Sequence, residues 1–243
     1  MPYPSRNSIP NASHNLHLNQ RQKQLTRYQL VIFDFDGTLA DSFPFFASVF
    51  NQLAQQYRFN PIELHEVENL RHASPRQIMQ HVGMAGWKLP LVSRNFIRRM
   101  RQNAHQIELF AQVAESLQFL AAANVQLAIV SSNSQQNVAA ILGPELMRLF
   151  GQVYCGMSIF GKTTHLKKMV KKSGLLPRQV IYIGDQETDA EAAAAAQIDF
   201  GAVSWGYGSL QALRRHRLAA EFVNVPDLCL LAATSISGEA IAK

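Results

Sequence analysis

The strongest constraint on the fold of this chain is the way its short apolar runs end. "LVIFDF" from Leu30, "VQLAIV" at 125–130, "QVIYIG" at 179–184 and "DFGAV" at 199–203 are compact and rich in β-branched residues. Runs of this kind, bounded by turn residues, are the mark of strands buried on both faces. Between them lie segments with helical spacing, at 109–123, 134–142, 163–173, 187–196 and 209–218, with further short strands near 152–155 and 221–224. Strands that alternate with helices build βαβ units. The fold class is therefore α/β, a doubly wound, mostly parallel Rossmann-like sheet.

One stretch departs from the alternation. Over 43–107 apolar residues recur only at helical spacing, and Pro61, Pro75 and Pro90 stand where helices can begin. This stretch reads as a helical insertion after the first strand. The α/β domain then comprises 29–42 and 108–235, followed by a C-terminal tail at 236–243. Residues 1–28 are rich in Asn, Gln, Ser, Pro and His and hold four basic residues, Arg6, Arg21, Lys23 and Arg27, with no acid. They read as a disordered or loosely docked basic tail. It lacks the apolar region of a secretory signal.

The formal net charge of +6 raises the question of nucleic acid. Much of the excess is local to the tail, to Arg94, Arg98, Arg99 and Arg101, and to Lys167, Lys168, Lys171 and Lys172 beside His165. The latter two clusters follow helical periodicity and read as solvated faces, and no aromatic residues interleave with the tail's charges as a single-strand platform requires. No nucleic-acid partner is expected. No apolar run approaches the length of a membrane span, so no membrane partner is expected either. Cys155 and Cys229 lack metal-ligand spacing and read as two reduced thiols of a cytoplasmic protein.

In doubly wound sheets ligands bind beyond the carboxyl ends of the strands. This chain places Asp34 and Asp36 there after the first strand, Ser131, Ser132 and Asn133 after the second, Lys162 beyond the third, and Asp185 and Asp189 in "GDQETD" after the fourth. Carboxylates gathered on one rim repel one another and protonate unless a cation neutralises them. Oxygen ligands suit a hard ion, and Mg²⁺ is the expected cofactor. A second pattern competes for Lys162: "GMSIFGKT" at 156–163 fits the G-x-x-x-x-G-K-[ST] form of a nucleotide-binding P-loop. That is the weaker reading. Ile159 and Phe160 are awkward in a loop that wraps its backbone around phosphates, and "DFDGT" is left with no role.

"DFDGTLADS" resembles the first signature of the haloacid dehalogenase superfamily of phosphohydrolases. Ser131 after "LAIV", Lys162 and "IGDQETD" match the other three in family order, from about Leu30 to Leu228. The helical insertion is similar to the C1-type cap of that superfamily. The fourth motif and the "WGYG" loop at 205–208 most resemble phosphoglycolate phosphatase-like members. The resemblance implies that Asp34 is the nucleophile, forming an aspartyl-phosphate, and that Asp36 is the general acid and base. It implies Mg²⁺ held by Asp34, the backbone carbonyl of Asp36 and Asp185, with Asp189 assisting. It implies phosphate contacts from Thr38, Ser131, Ser132 and Lys162, the last also stabilising transition-state charge.

The function so implied is a phosphatase acting on a small phosphorylated metabolite. A phosphomutase of the same fold keeps the same residues and stays open. A dehalogenase would have no acid at Asp36, since no leaving oxygen needs a proton. Phosphonate cleavage would need an imine-forming lysine in the insertion, where Lys88 is the sole candidate between 43 and 107. For the leaving group, "LRHASPRQIM" offers His72 and Arg76, and Asn133 could also touch the substrate. That segment lacks the glycine often carried near its start by members of the phosphoglycolate branch.

Overall fold

The computed structural model describes residues 28–66, 70, 73, 75–157 and 161–232. The main sheet has six strands: β1 (Leu30–Phe33), β4 (Gln126–Val130), β5 (Phe150–Tyr154), β6 (Val180–Gly184), β7 (Asp199–Val203) and β8 (Ala220–Phe222), in the order β5-β4-β1-β6-β7-β8. Every neighbouring pair is parallel. The apolar runs alternate between the two faces. Val31 and Phe33 of β1 join Leu127, Ile129, Ile181 and Ile183 in one core, while Leu30 and Ile32 join Ala128, Val130, Val180 and Tyr182 in the other. Both faces of the inner strands β1, β4, β6 and β7 are covered, so they show no polar side and read as near-continuous apolar runs, whereas the edge strands β5 and β8 carry Gln152 and Glu221 and are half-exposed.

The first core is closed by α4 (Val113–Ala122), α5 (Gln135–Met147) and the 3₁₀ segment Val225–Ala232. The second is closed by α6 (Lys162–Ser173), α7 (Glu187–Ala196) and α8 (Leu210–Leu213). The small side chains of Ala190, Ala193 and Ala196 let α7 lie close to the sheet. Helix α5 runs beyond the 134–142 expected from the sequence because the chain bends at Gly143 (φ 72°) before Pro144 and then resumes helix to Met147. Helix α8 is shorter than expected.

Between β1 and α4 lie α1 (Phe43–Tyr57), α2 (Pro75–His81) and α3 (Leu89–Gln102). Phe50, Ile62 and Val82 form a small core there, flanked by Phe46, Phe59, Ile78 and Met84. Phe45, Val49, Leu53, Val92 and Met100 instead bury into the first core of the α/β layer, so the insertion is seated on the sheet's carboxyl edge. At its neck β2 (Ala40–Asp41) pairs antiparallel with β3 (Glu108–Leu109). Two residues per strand are too few to show alternation, and the sequence gives no sign of this ribbon. No helix among the described residues is long and apolar enough to cross a membrane.

Candidate active site

The site is built at the end of β1. The Asp34 N–H donates to the Ile183 carbonyl at 2.8 Å, which holds Asp34 on the sheet edge, and the Phe35 carbonyl accepts from Leu39 and Ala40, both at 2.9 Å. This tight turn needs Gly37, with φ +78°, and a Cβ there would stand 2.5 Å from Asp185 Oδ2. Asp185 lies just beyond β6. Its Oδ1 accepts from the Thr38 hydroxyl at 3.3 Å, and its Oδ2 accepts from Gln186 Nε2 at 3.1 Å, Tyr207 N–H at 2.8 Å and Gly208 N–H at 3.3 Å. Asp189 sits in the first turn of α7. Its Oδ2 accepts the Gln186 N–H at 3.1 Å, a helix-start bond that fixes the carboxylate's direction.

Asp34, Asp185 and Asp189 are all buried, and one carboxylate oxygen from each lies within 4.8 Å of the others. Lys162, the first residue of α6 and itself buried, reaches into this group. Its Nζ stands 2.9 Å from Asp34 Oδ1 and 2.7 Å from Asp189 Oδ1. The Tyr182 hydroxyl lies 3.0 Å from the same Asp189 oxygen. Three buried carboxylates face a single ammonium, so when ionised they carry more negative charge than Lys162 can balance. That donor set fits one hard divalent cation with oxygen preference, as Mg²⁺ has.

The electrostatics agree. Burial pushes the Asp34 carboxyl well above the usual range; Lys162 pulls it down while Asp189 and Asp185 raise it further. Asp185 is pushed up to about 6 by burial and then by Asp189, against the Tyr207 N–H and Gln186 bonds. For Lys162 burial alone would lower the ammonium, but Asp189 and Asp34 reverse this and hold it above its ordinary value. It stays charged.

Asp36 stands apart from the three. Its carboxylate turns to Asn133, whose Nδ2 donates at 3.0 Å to Oδ2 and 3.3 Å to Oδ1. Loss of water around it raises its carboxyl, with the Ser42 and Asn133 hydrogen bonds acting in the opposite direction. Asp36 is expected at the metal through its backbone carbonyl alone, and the side chain is turned to Asn133. Asn133, expected as a substrate contact, has its amide committed to Asp36. Buried Ser131 accepts the Asn133 N–H on Oγ at 3.1 Å, which leaves its own O–H to donate. Ser132 is half-buried beside it. The Thr38 hydroxyl is spent on Asp185, and its N–H on the Phe35 carbonyl at 3.3 Å.

Other expectations fare differently. Arg76 lies exposed at the start of α2. His72 lies outside the described residues, as do residues 158–160 of the P-loop pattern. Lys162, the residue that pattern would put on nucleotide phosphates, is instead buried between Asp34 and Asp189. Lys88 Nζ donates to the Tyr57 and Arg58 carbonyls, both at 2.9 Å, and so closes the C-terminal end of α1. It holds a helix end and has no geometry for an imine. The Cys155 thiol is pushed up to about 12 by burial and by Asp34 and Asp36, so it is a neutral thiol and no nucleophile near pH 7.

Sequence reasoning missed what surrounds Asp185. Trp205 Nε1 donates to the Thr38 carbonyl at 3.0 Å, and Tyr207 presents its hydroxyl to the Phe43 N–H at 2.8 Å. A Cβ on Gly208 would stand 1.6 Å from the Asp185 carbonyl oxygen, and one on Gly206 2.5 Å from the Gly37 carbonyl oxygen. The glycines of "WGYG" are the available signal: both let backbone approach backbone. Gly208→Ala is expected to push the loop away, free Asp185 of its two backbone donors and cost about 2 kcal/mol, as overpacking does. Calorimetry should show a melting temperature lower by roughly 5 °C for a domain of this size.

Comparison with known proteins agrees with this architecture. Residues 31–203 match the haloacid dehalogenase-like hydrolase family. The chain belongs to that family. It is 35% identical over 186 residues to phosphoglycolate phosphatase of Synechococcus elongatus, covering 76% of this chain and 88% of that protein. It is 30% identical over 200 residues to phosphoglycolate phosphatase of Pseudomonas savastanoi, covering 74% and 70%. Among solved structures, a haloacid dehalogenase-like hydrolase of Streptococcus pneumoniae superposes with a TM-score of 0.70 at 18% identity, over 84% of this chain and 97% of that one, a likeness of fold.

Proposed function

We propose that this chain is a Mg²⁺-dependent phosphatase that cleaves small phosphate monoesters through an aspartyl-phosphate on Asp34. The observation that carries the reading is the division of labour among the acids. Three buried carboxylates gather in one cluster with the Lys162 ammonium between two of them, while the fourth acid, Asp36, two residues from Asp34, is turned away from the cluster to the neutral amide of Asn133. An attacking carboxylate and a proton donor need these different surroundings. The relatives named phosphoglycolate phosphatase support the same class.

An Asp34 oxygen attacks phosphorus as the bond from phosphorus to the leaving oxygen breaks, and Asp36 gives its proton to that oxygen. Asp36, now a carboxylate, takes a proton from water; the water oxygen attacks phosphorus, and inorganic phosphate leaves with Asp34 restored. Lys162 and the Ser131 hydroxyl hold the phosphoryl oxygens, with Lys162 meeting the charge that develops there. Asp34, Asp185 and the backbone carbonyl of Asp36 would hold Mg²⁺, with Asp189 aiming Lys162. When bound, the ion offsets the repulsion between carboxylate and phosphate and polarises the phosphoryl group. The helical insertion over 43–107 would serve as the cap that chooses the leaving group, with Arg76 and His72 its candidate contacts.

The test is phosphate release from p-nitrophenyl phosphate and from 2-phosphoglycolate, with Mg²⁺ and with EDTA. Turnover is expected with Mg²⁺ and lost with EDTA. Mg²⁺ is also expected to raise the melting temperature, by about 2.7 kcal/mol of stabilisation at a hundred times its Kd. Turnover unaffected by EDTA, or a melting temperature unmoved by Mg²⁺, would count against the reading.

A further inference from the structure

Asp36 is held by the Ser42 side chain and, on its other flank, by a chain of two asparagines. Asn133 is buried and uses all four of its hydrogen-bonding positions. Its Oδ1 accepts from the Ser134 N–H at 2.8 Å and from Asn137 Nδ2 at 2.8 Å, and its Nδ2 donates to Asp36 at 3.0 Å and lies 3.0 Å from Met100 Sδ. The Ser134 N–H is a backbone donor and cannot exchange roles. It therefore fixes the amide's orientation, with oxygen toward Ser134 and nitrogen toward Asp36.

Asn137, 0% exposed on α5, is fixed in the same manner. Its Nδ2 donates one hydrogen to Asn133 Oδ1 and the other to the Ile97 carbonyl of α3, at 3.0 Å. A backbone carbonyl only accepts, so Asn137 must be the donor to both. Its own Oδ1 is buried with no hydrogen-bond partner. A buried amide that leaves its oxygen unsatisfied is costly to place, and an apolar side chain would carry no such cost of its own. The two donated bonds are what the residue is placed to make.

We propose that Asn137 is a positioning residue for the general acid: it locks Asn133 against Asp36 and takes its second anchor from the seated helix α3 of the insertion. The aim of Asp36 is thereby tied to α3 resting on the α/β layer, where Met100 meets Asn133 from the same helix. This inference rests on the phosphatase reading, in which Asp36 protonates the leaving oxygen.

The test compares two esters of nearly equal shape. The p-nitrophenolate of p-nitrophenyl phosphate leaves with little help, whereas phenolate from phenyl phosphate needs the acid more. In Asn137→Leu, kcat/KM for phenyl phosphate is expected to fall about tenfold further than for p-nitrophenyl phosphate, within the range that general acid catalysis supplies. Asn137→Ser, whose short hydroxyl cannot span from Asn133 to the Ile97 carbonyl and which adds no bulk, replaces the Leu variant if that one does not fold, with the same expectation. Equal losses on the two esters, or none, in a wild type active on both would overturn the inference and leave the phosphatase reading intact. A wild type that releases phosphate from neither ester would overturn both.

Discussion

Asp34→Asn is expected to lower kcat on p-nitrophenyl phosphate by about 10⁴-fold or more, with the protein still folded. A nucleophile that forms the covalent intermediate has no substitute within reach. Asp189 lies in the same cluster, but its Oδ1 is taken by Lys162 and Tyr182 and its Oδ2 by the Gln186 N–H. Losses of that order follow removal of a nucleophile elsewhere, where residual rate comes from binding and charge stabilisation alone. The amide of Asn is isosteric with the carboxylate and keeps an oxygen for Lys162. Without metal it also removes one of three buried charges that repel one another. The melting temperature of the metal-free variant is therefore expected to equal or exceed that of the wild type. Activity loss with a lower melting temperature would instead mean that Asp34 is a structural residue. Steady-state kinetics and a thermal melt in EDTA check both halves.

Lys162→Met should act in the opposite direction on stability and the same direction on rate. Methionine fills most of the volume of the lysine stem, so packing beside Tyr182 is largely kept. What disappears is the ammonium between Asp34 and Asp189. Breaking a buried ion pair by removing one partner leaves uncompensated charge and costs about 3–5 kcal/mol. For a domain of about 200 residues that corresponds to a melting temperature lower by roughly 10 °C in EDTA, with part of the loss recovered when Mg²⁺ is added. The rate should fall on the order of 10²- to 10³-fold, the usual effect of removing a donor aimed at developing transition-state charge. An unchanged melting temperature in EDTA would show that the carboxylates protonate instead of relying on the lysine. An unchanged rate would remove Lys162 from the phosphate site. The two variants together separate charge balance from chemistry, since one relieves the crowded anions and the other worsens them while both slow turnover.

The sheet and the acid rim were legible in the sequence for one physical reason. Strands buried on two faces must be apolar throughout, so the first polar residue after each, Asp34, Ser131 or Asp185, marks the edge where ligands bind. Helix α7 was legible from end to end because Asp189 opens it and a run of alanines fills it. What was not legible depends on contacts between distant segments. The ribbon of β2 and β3 is two residues deep, and only the closure of the insertion's neck brings Ala40 to Leu109. Asn137 reads as a polar residue on a helix surface until α3 covers it with the Ile97 carbonyl. Lys88 reads as the insertion's sole candidate for an imine-forming lysine until its ammonium is found on the end of α1. The direction of the Asp36 carboxylate is of the same kind, since spacing groups it with Asp34 and only the fold turns it to Asn133.

The central claim is the covalent bond between Asp34 and phosphorus. The most direct measurement is the mass of the Asp34-containing peptide from protein quenched in acid within milliseconds of mixing with p-nitrophenyl phosphate and Mg²⁺. A phosphoryl adduct on Asp34 is expected, one that appears before steady state, decays as substrate is exhausted and is missing from Asp34→Asn. Phosphate release by the wild type with no adduct at any time, together with undiminished turnover in Asp34→Asn, would contradict the claim.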